Sequence, residues 1–213
     1  MALKLMGSSS GHVSIDAPAA AGSNTLILPP DNGSNGEYLQ TNGSGTLDWA
    51  AVSSGFETEE YDEWRLTSNF SGPVDPLTSN LERPDTGNFE KIGTGVTQSS
   101  GVWTFPSTGK WLITTNSAHH KASAVARWPG SVHYTTVDNG SNWVETSKGW
   151  CFVYYSSNTV ANTLTLRTLF DVENTSTHKM KWVIIDSDGD SCTTAGDTGV
   201  NKTYISFWKI GGT

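Results

Sequence analysis

Three short stretches carry residue types that could do chemistry. Asp186-Ser187-Asp188-Gly189-Asp190-Ser191 sets three carboxylates at alternate positions in a loop. Ca²⁺ takes such oxygen clusters, so Asp186, Asp188 and Asp190 form a candidate calcium site. An EF-hand loop, however, has glycine after the third acidic position and a glutamate further on. Here Gly189 comes early and no such glutamate follows, so an acidic, solvent-exposed hairpin is the competing reading and no cofactor is expected. His119-His120 looks like a metal pair, yet neighbours on a strand point to opposite faces, and no His-Glu-x-x-His or Cys-x-x-Cys spacing occurs. His12, His119, His120, His133 and His178 therefore read as surface or interface histidines. Ser9 completes a formal Gly-x-Ser-x-Gly, but a nucleophile elbow needs a strand before it, a helix after it, and a histidine and an acid elsewhere. That context is missing. With no paired-carboxylate or nucleophile constellation, no enzymatic activity is expected.

Recognition is a better match to the residue types. Trp128-Pro129-Gly130, Asn139-Gly140-Ser141-Asn142-Trp143 and the stretch 186–199 set aromatic rings or carboxylates beside Asn and Ser. Such groups stack on sugar rings and hydrogen-bond their hydroxyls. Trp128, Asn139, Asn142 and Trp143 are the candidate receptor contacts, with a glycan as the ligand. Trp128 and Trp143 also suit the ends of core strands.

The elements that must position these residues follow from composition and pattern. Only 16% of the 213 residues are charged, against 22 glycines and nine tryptophans, a profile of many turns and uncharged polar faces that favours an all-β fold. Residues 1–55 differ from the rest. Val13 and Ile15, Leu26-Ile27-Leu28, Tyr38-Leu39, Leu47 and Trp49 are short apolar pieces separated by the turn dipeptides Asn32-Gly33, Asn35-Gly36 and Asn42-Gly43. None is long enough to make a core, and a plain Gly/Ser linker would not need them. They predict an extended arm ordered against copies of itself or another protein, with Leu26, Leu28, Leu39 and Trp49 as its anchoring residues. Residues 56–61 read as an acidic, solvated hinge. Residues 62–213 carry the strand pattern, at 64–68, 89–92, 101–105, 111–116, 122–128, 131–137, 143–145, 150–156, 163–172, 179–186 and 203–210, with a structureless crossover near 72–84.

Two of these strands carry apolar residues on both alternate sets. Trp150 to Tyr155 is one, and Tyr204 to Ile210 is the other, where Ile205 and Phe207 face one way and Tyr204, Trp208 and Ile210 the other. A strand of a two-sheet protein needs apolar residues on one face only. The excess predicts a subunit interface through Tyr155, Tyr204, Trp208 and Ile210.

A net charge of −8 with scattered lysines and arginines argues against nucleic acid, which requires clustered basic residues, and against an anionic membrane. No stretch approaches a membrane span and no targeting segment is evident, so synthesis in a cytoplasm is expected. Cys151 and Cys192 are too few for a disulfide scaffold and read as two reduced thiols.

Phe89-Glu90-Lys91-Ile92-Gly93, Phe105-Pro106-Ser107-Thr108-Gly109-Lys110-Trp111 and the terminal Thr203 to Ile210 resemble the C1q/TNF-like jelly-roll superfamily, with Pro106 one place early in its Phe-x-x-Pro-x-x-Gly phrase. The resemblance spans residues 62–213 and implies an antiparallel sandwich assembled as a homotrimer. The arm, through Thr25-Leu26-Ile27-Leu28-Pro29 and Gly36 to Ala50, is similar to a module of tail-fibre and other virion proteins of tailed phages, notably cyanophage-like ones. That implies a virion location, synthesis in a bacterial host, and other tail or capsid proteins as partners of the arm. It also leaves a capsid decoration protein, or a cellular C1q-like adhesin, as alternatives to a short fibre.

Overall fold

In the structure, a computed structural model, all residues are described except 1–2, 17, 21, 52–57, 88, 123–127, 155–156, 187–188 and 190–191. The chain forms two units, Met1–Glu57 and Thr58–Thr213, and every regular element among the described residues is a strand.

The first unit contains two antiparallel hairpins, β1 (Leu3–Met6) with β2 (His12–Ile15) and β3 (Glu37–Thr41) with β4 (Leu47–Ala51). Turn chemistry makes the second one: the Asn42 side-chain oxygen accepts the Ser44 amide at 2.8 Å, and Gly43 takes a φ of 80°, a conformation open to glycine at little cost. Ile27 joins this hairpin in a parallel bridge to Thr46. Gly33 lies so close to Trp49 that a Cβ there would fall 2.6 Å from the indole, and Trp49 Nε1 donates to the Asp31 carbonyl at 3.1 Å. No described residue of this unit is buried. Leu3, Leu5, Met6, Val13, Ile15, Leu26, Ile27 and Leu28 are each more than half exposed. An isolated two-stranded hairpin is marginal in water, and this unit lacks a core.

The second unit has one. Its strands are β5 (Tyr61–Leu66), β6 (Phe70–Ser71), β7 (Leu81–Glu82), β8 (Thr97–Ser99), β9 (Val102–Thr104), β10 (Gly109–Ala122), β11 (Pro129–Thr136), β12 (Val144–Trp150), β13 (Thr159–Val172), β14 (Lys179–Asp186), β15 (Thr193–Thr194) and β16 (Tyr204–Gly211). One sheet runs β13-β10-β16-β5-β7, with β15 and β6 taking the place of β16 along the later half of β10. The other runs β12-β11-β14-β9-β8. The chain crosses between the sheets from β10 to β11, from β12 to β13 and from β13 to β14, which gives an antiparallel jelly roll. Registers set its two ends. Lys110 pairs with Gly211 and Tyr61 with Trp208, so the unit's own termini share one end. Ala122 with Thr159, and Pro129 with Asp186, mark the far end.

Side chains on β10 alternate without a break from buried Trp111 to half-buried His120. The inward set changes character along the strand. Near the terminal end Trp103, Phe105, Trp111, Ile113, Trp182 and Phe207 are at most 1% exposed, with Trp103 and Phe207 ring centroids 5.0 Å apart and Phe105 and Trp111 5.2 Å apart. Towards the far end the seam is polar: Thr115, Ser117 and His119 of β10 face Ser131 and His133 of β11. His119 and His133 are 1% and 0% exposed, so these two are core residues, not surface ones. Their strand positions put them inward, and hydroxyls satisfy their ring nitrogens, Thr115 and Thr168 for His133, and Thr194 and Ser117 of its own strand for His119.

Other expectations are also corrected. Glu60, Asp62 and Glu63 are buried, not solvated. The Glu60 carboxylate accepts the Thr94 and Gly95 amides, and Asp62 takes the Val96 amide and a two-point ion pair from Arg83. These bonds clip the 93–96 loop onto β5. Of 89–92 only Ile92 enters a sheet, bridging Tyr61. The 72–84 connection holds β7 and a bridge from Val74 to Ile184. In 150–156 the strand stops at Trp150, because the chain must leave this sheet to reach β13 in the other. Residues 123–127 of the segment expected at 122–128 lie outside the described residues.

Candidate functional site

The four residues singled out for receptor contact do not converge. Asn139, Asn142 and Trp143 occupy the β11–β12 turn at the terminal end, whereas Trp128 precedes β11 at the far end. The eight residues of β11 hold them about 25 Å apart.

The turn is a closed knot. Asp138 accepts the Thr136 hydroxyl at 2.6 Å, the Asn142 backbone amide at 2.9 Å and the Asn142 side-chain amide at 2.7 Å. These bonds, the Thr136 one foremost, pull its carboxyl down to about 2. Asn139 sits at φ 58° and donates its amide to the Thr177 carbonyl at 2.8 Å. Trp143 is capped by Lys181, whose Nζ lies 5.4 Å from its ring, 4.9 Å from that of Tyr134, and 2.8 Å from Asp75. The Asn142 backbone amide and one side-chain N–H are therefore engaged inside the turn.

At the far end, β11 and β12 build a different surface. Gly130 pairs with Trp150 on β12 and with Ile185 on β14. A Cβ on Gly130 would lie 2.2 Å from the Gly149 carbonyl oxygen, so no side chain fits beside Trp150 in that row. Trp128 and Trp150 meet edge to face, ring centroids 6.4 Å apart at 81°, and are 50% and 44% exposed. Lys148 Nζ stands 5.2 Å from the Trp150 ring and 3.3 Å from Glu145. Phe152 and Tyr154 follow, 50% and 60% exposed. The sequence pattern reads 150–156 as a strand apolar on both faces, which hides Trp150 as a surface residue. The signal lay in two Trp-Gly pairings, Trp128-Pro129-Gly130 and Gly149-Trp150, where a large ring adjoins a position with no side chain.

The calcium reading cannot be followed through. Asp188 and Asp190 lie outside the described residues. Asp186 ends β14 and accepts the Cys192 amide at 3.0 Å. Among the described residues no cluster of three or more metal-binding side chains occurs. Cys151 and Cys192 are free thiols, and burial pushes the Cys151 thiol up to about 11.

Of the interface candidates, Tyr155 lies outside the described residues. Tyr204, Trp208 and Ile210 are half-buried on β16, whose Ile205 and Phe207 fill the core. Register extends Trp208 into a row across the outer face of the sheet: Leu169, Leu112, Trp208 and Tyr61 stand side by side on β13, β10, β16 and β5. Leu169 is 60% exposed. In the arm, Leu26 and Leu28 are 67% and 69% exposed and Leu39 45%, while Trp49 is half-buried against Gly33.

No family model matches the chain, and no curated protein does. Solved structures do. The structure of Eiger TNF from S. frugiperda matches over 74% of this chain and 96% of that one, at 9% identity and a TM-score of 0.53. Murine APRIL at pH 5.0 matches over 70% of this chain and 98% of that one, at 12% identity and a TM-score of 0.48. At such identities the likeness is one of fold, and the second unit is a TNF-like jelly roll.

Proposed function

We propose that the chain is a structural protein of a phage virion, a short trimeric fibre or fibre tip. Its arm docks on the particle and its head presents a surface to a host glycan. The contrast between the two units carries this reading. The head seals thirteen residues into one apolar core, while the arm buries none of its described residues and leaves Leu26, Leu28 and Leu39 in solvent. A segment with patterned apolar residues and no core is completed by other chains, either copies of itself or a particle protein. The arm's likeness to a phage virion module supports the second as its anchor. The apolar row from Leu169 to Tyr61 supports the first for the head, because closing a ring of copies removes it from water.

The test is localisation and competition. Purified full-length protein is expected to sediment as a trimer, to adsorb to susceptible cells and to reduce infection. Protein lacking residues 1–57 is expected to keep a folded head and to be missing from particles. Recovery of that truncation on virions would refute the anchoring role. If particles without the protein infect normally but their shells break more easily, the head is a capsid decoration and not a receptor-binding tip.

A further inference from the structure

We propose that the far-end corner formed by Trp128 and Trp150 is the sugar-binding site of the head, and that it takes a pyranose ring of a bacterial surface polysaccharide. This rests on the reading that the head recognises a glycan, and it moves the contact from the Asn142 turn to the opposite end of β11.

Several features make this corner a built site. The two indoles brace each other edge to face at 6.4 Å, so neither must be ordered when a ligand arrives, and ordering is a main cost of binding. Each still shows about half its surface to solvent. Gly130, opposite Trp150 in the ladder, leaves bare backbone alongside, in a place where β11 and β12 approach too closely for any side chain. A near-right-angled corner of two indoles with bare backbone on its flank lets a pyranose lay its C–H face on one ring and set its edge against the other. Lys148 and Glu145, paired at 3.3 Å with Lys148 Nζ 5.2 Å from the Trp150 ring, lie beside it and supply a donor and an acceptor for ring hydroxyls. The same pair disfavours a protein partner, because the cores of protein interfaces are depleted of charged side chains. The terminal-end tryptophan, Trp143, is less exposed than either of these rings, and its neighbour Asn142 is bonded to Asp138 within the turn.

The experiment is binding of the full-length protein to an array of immobilised bacterial surface polysaccharides, with Trp128→Ala, Trp150→Ala, Trp150→Phe and Trp143→Ala beside the wild type. Thermal melts and sedimentation of each variant serve as controls. The expected result is retention of at least one polysaccharide by the wild type, loss of at least tenfold in affinity for Trp128→Ala and Trp150→Ala, partial recovery in Trp150→Phe, and no change for Trp143→Ala. Wild-type binding that survives both far-end alanine variants overturns the site and leaves the glycan reading standing. Absence of wild-type binding to every polysaccharide overturns both. A change of sedimentation in Trp150→Ala makes the corner a subunit contact and overturns the site.

Discussion

Thr115 Oγ1 lies 2.8 Å from Nε2 of His133, a hydroxyl of one sheet bonded to an imidazole of the other. Thr168 Oγ1 holds the second ring nitrogen at 2.8 Å, and a parallel chain runs Trp182–Ser131–Ser117–His119–Thr194. Hydroxyls both donate and accept, so a neutral imidazole is fully satisfied here, while a charged one is hydrogen-bonded but desolvated. Burial accordingly lowers both histidines to about 4. For His119 the Asp186 charge pulls upward and His120 downward, and burial outweighs them.

Acid is therefore expected to weaken the head. With a folded value of about 4 against 6.5 unfolded, the native state binds fewer protons between these limits. Stability falls as pH drops through that window and levels off below it. Each histidine contributes up to about 3 kcal/mol. Urea melts at pH 7, 5.5 and 4 check this, and His133→Gln should remove roughly half the drop. An unchanged pH dependence in that variant would show that the seam is not its source.

Asp62 is fully buried and holds Arg83, the Val96 amide and Trp64 Nε1, the last at 3.1 Å. Asp62→Ala removes the two-point acceptor of Arg83, which keeps only the Val96 carbonyl, and leaves the buried Val96 amide unpaired, at a cost of about 2–3 kcal/mol. Chemical denaturation measures it. A loss below about 1 kcal/mol would mean that water replaces the carboxylate.

Leu112 stands between Leu169 and Trp208 on the outer face of the sheet. Leu112→Lys should leave the head folded, since the side chain is outward and only half-buried, and should convert a trimer into monomers. Sedimentation velocity with a circular-dichroism control decides. A trimer unaffected by the lysine places the interface elsewhere.

Cys151 is expected to react slowly with iodoacetamide. A thiol raised to about 11 by burial carries little thiolate at pH 8, and its alkylation should be slower than that of a free thiol by about two orders of magnitude. Mass spectrometry of timed quenches reads the rate, with urea-unfolded protein as the reference. Equal rates would place the thiol in open solvent.

Parts of this molecule were legible in its residues. Three Asn-Gly dipeptides predict turns in the arm, and Gly33, Gly36 and Gly43 all take positive φ. The alternation of Thr163 to Leu166 predicts a strand apolar on one face, and β13 contains it, with Leu166 buried and Thr163 and Thr165 exposed. The two-faced pattern of Tyr204 to Ile210 predicts an apolar outer face, and Trp208 indeed stands in an apolar row. These signals are local, set by backbone sterics and by a period of two.

What the sequence could not decide is which residues meet. His119 and His133 are sealed between the sheets by hydroxyls that include ones from other strands, Thr194 for the first and Thr115 and Thr168 for the second, and chain order does not bring these together. Trp128 was grouped with Trp143 because both neighbour turn residues, yet strand length drives them to opposite ends of one hairpin. Its actual neighbour, Trp150, is brought in by a register that sets it opposite Gly130, where no side chain fits. By itself the sequence determined the all-β class, the break between arm and head, and the absence of a core in the arm, because composition and periodicity limit what each segment can bury. Only the tertiary structure decided which loops share an end, which polar groups are sealed between the sheets and which aromatic rings form a corner, because those depend on register and strand order across residues far apart in the chain.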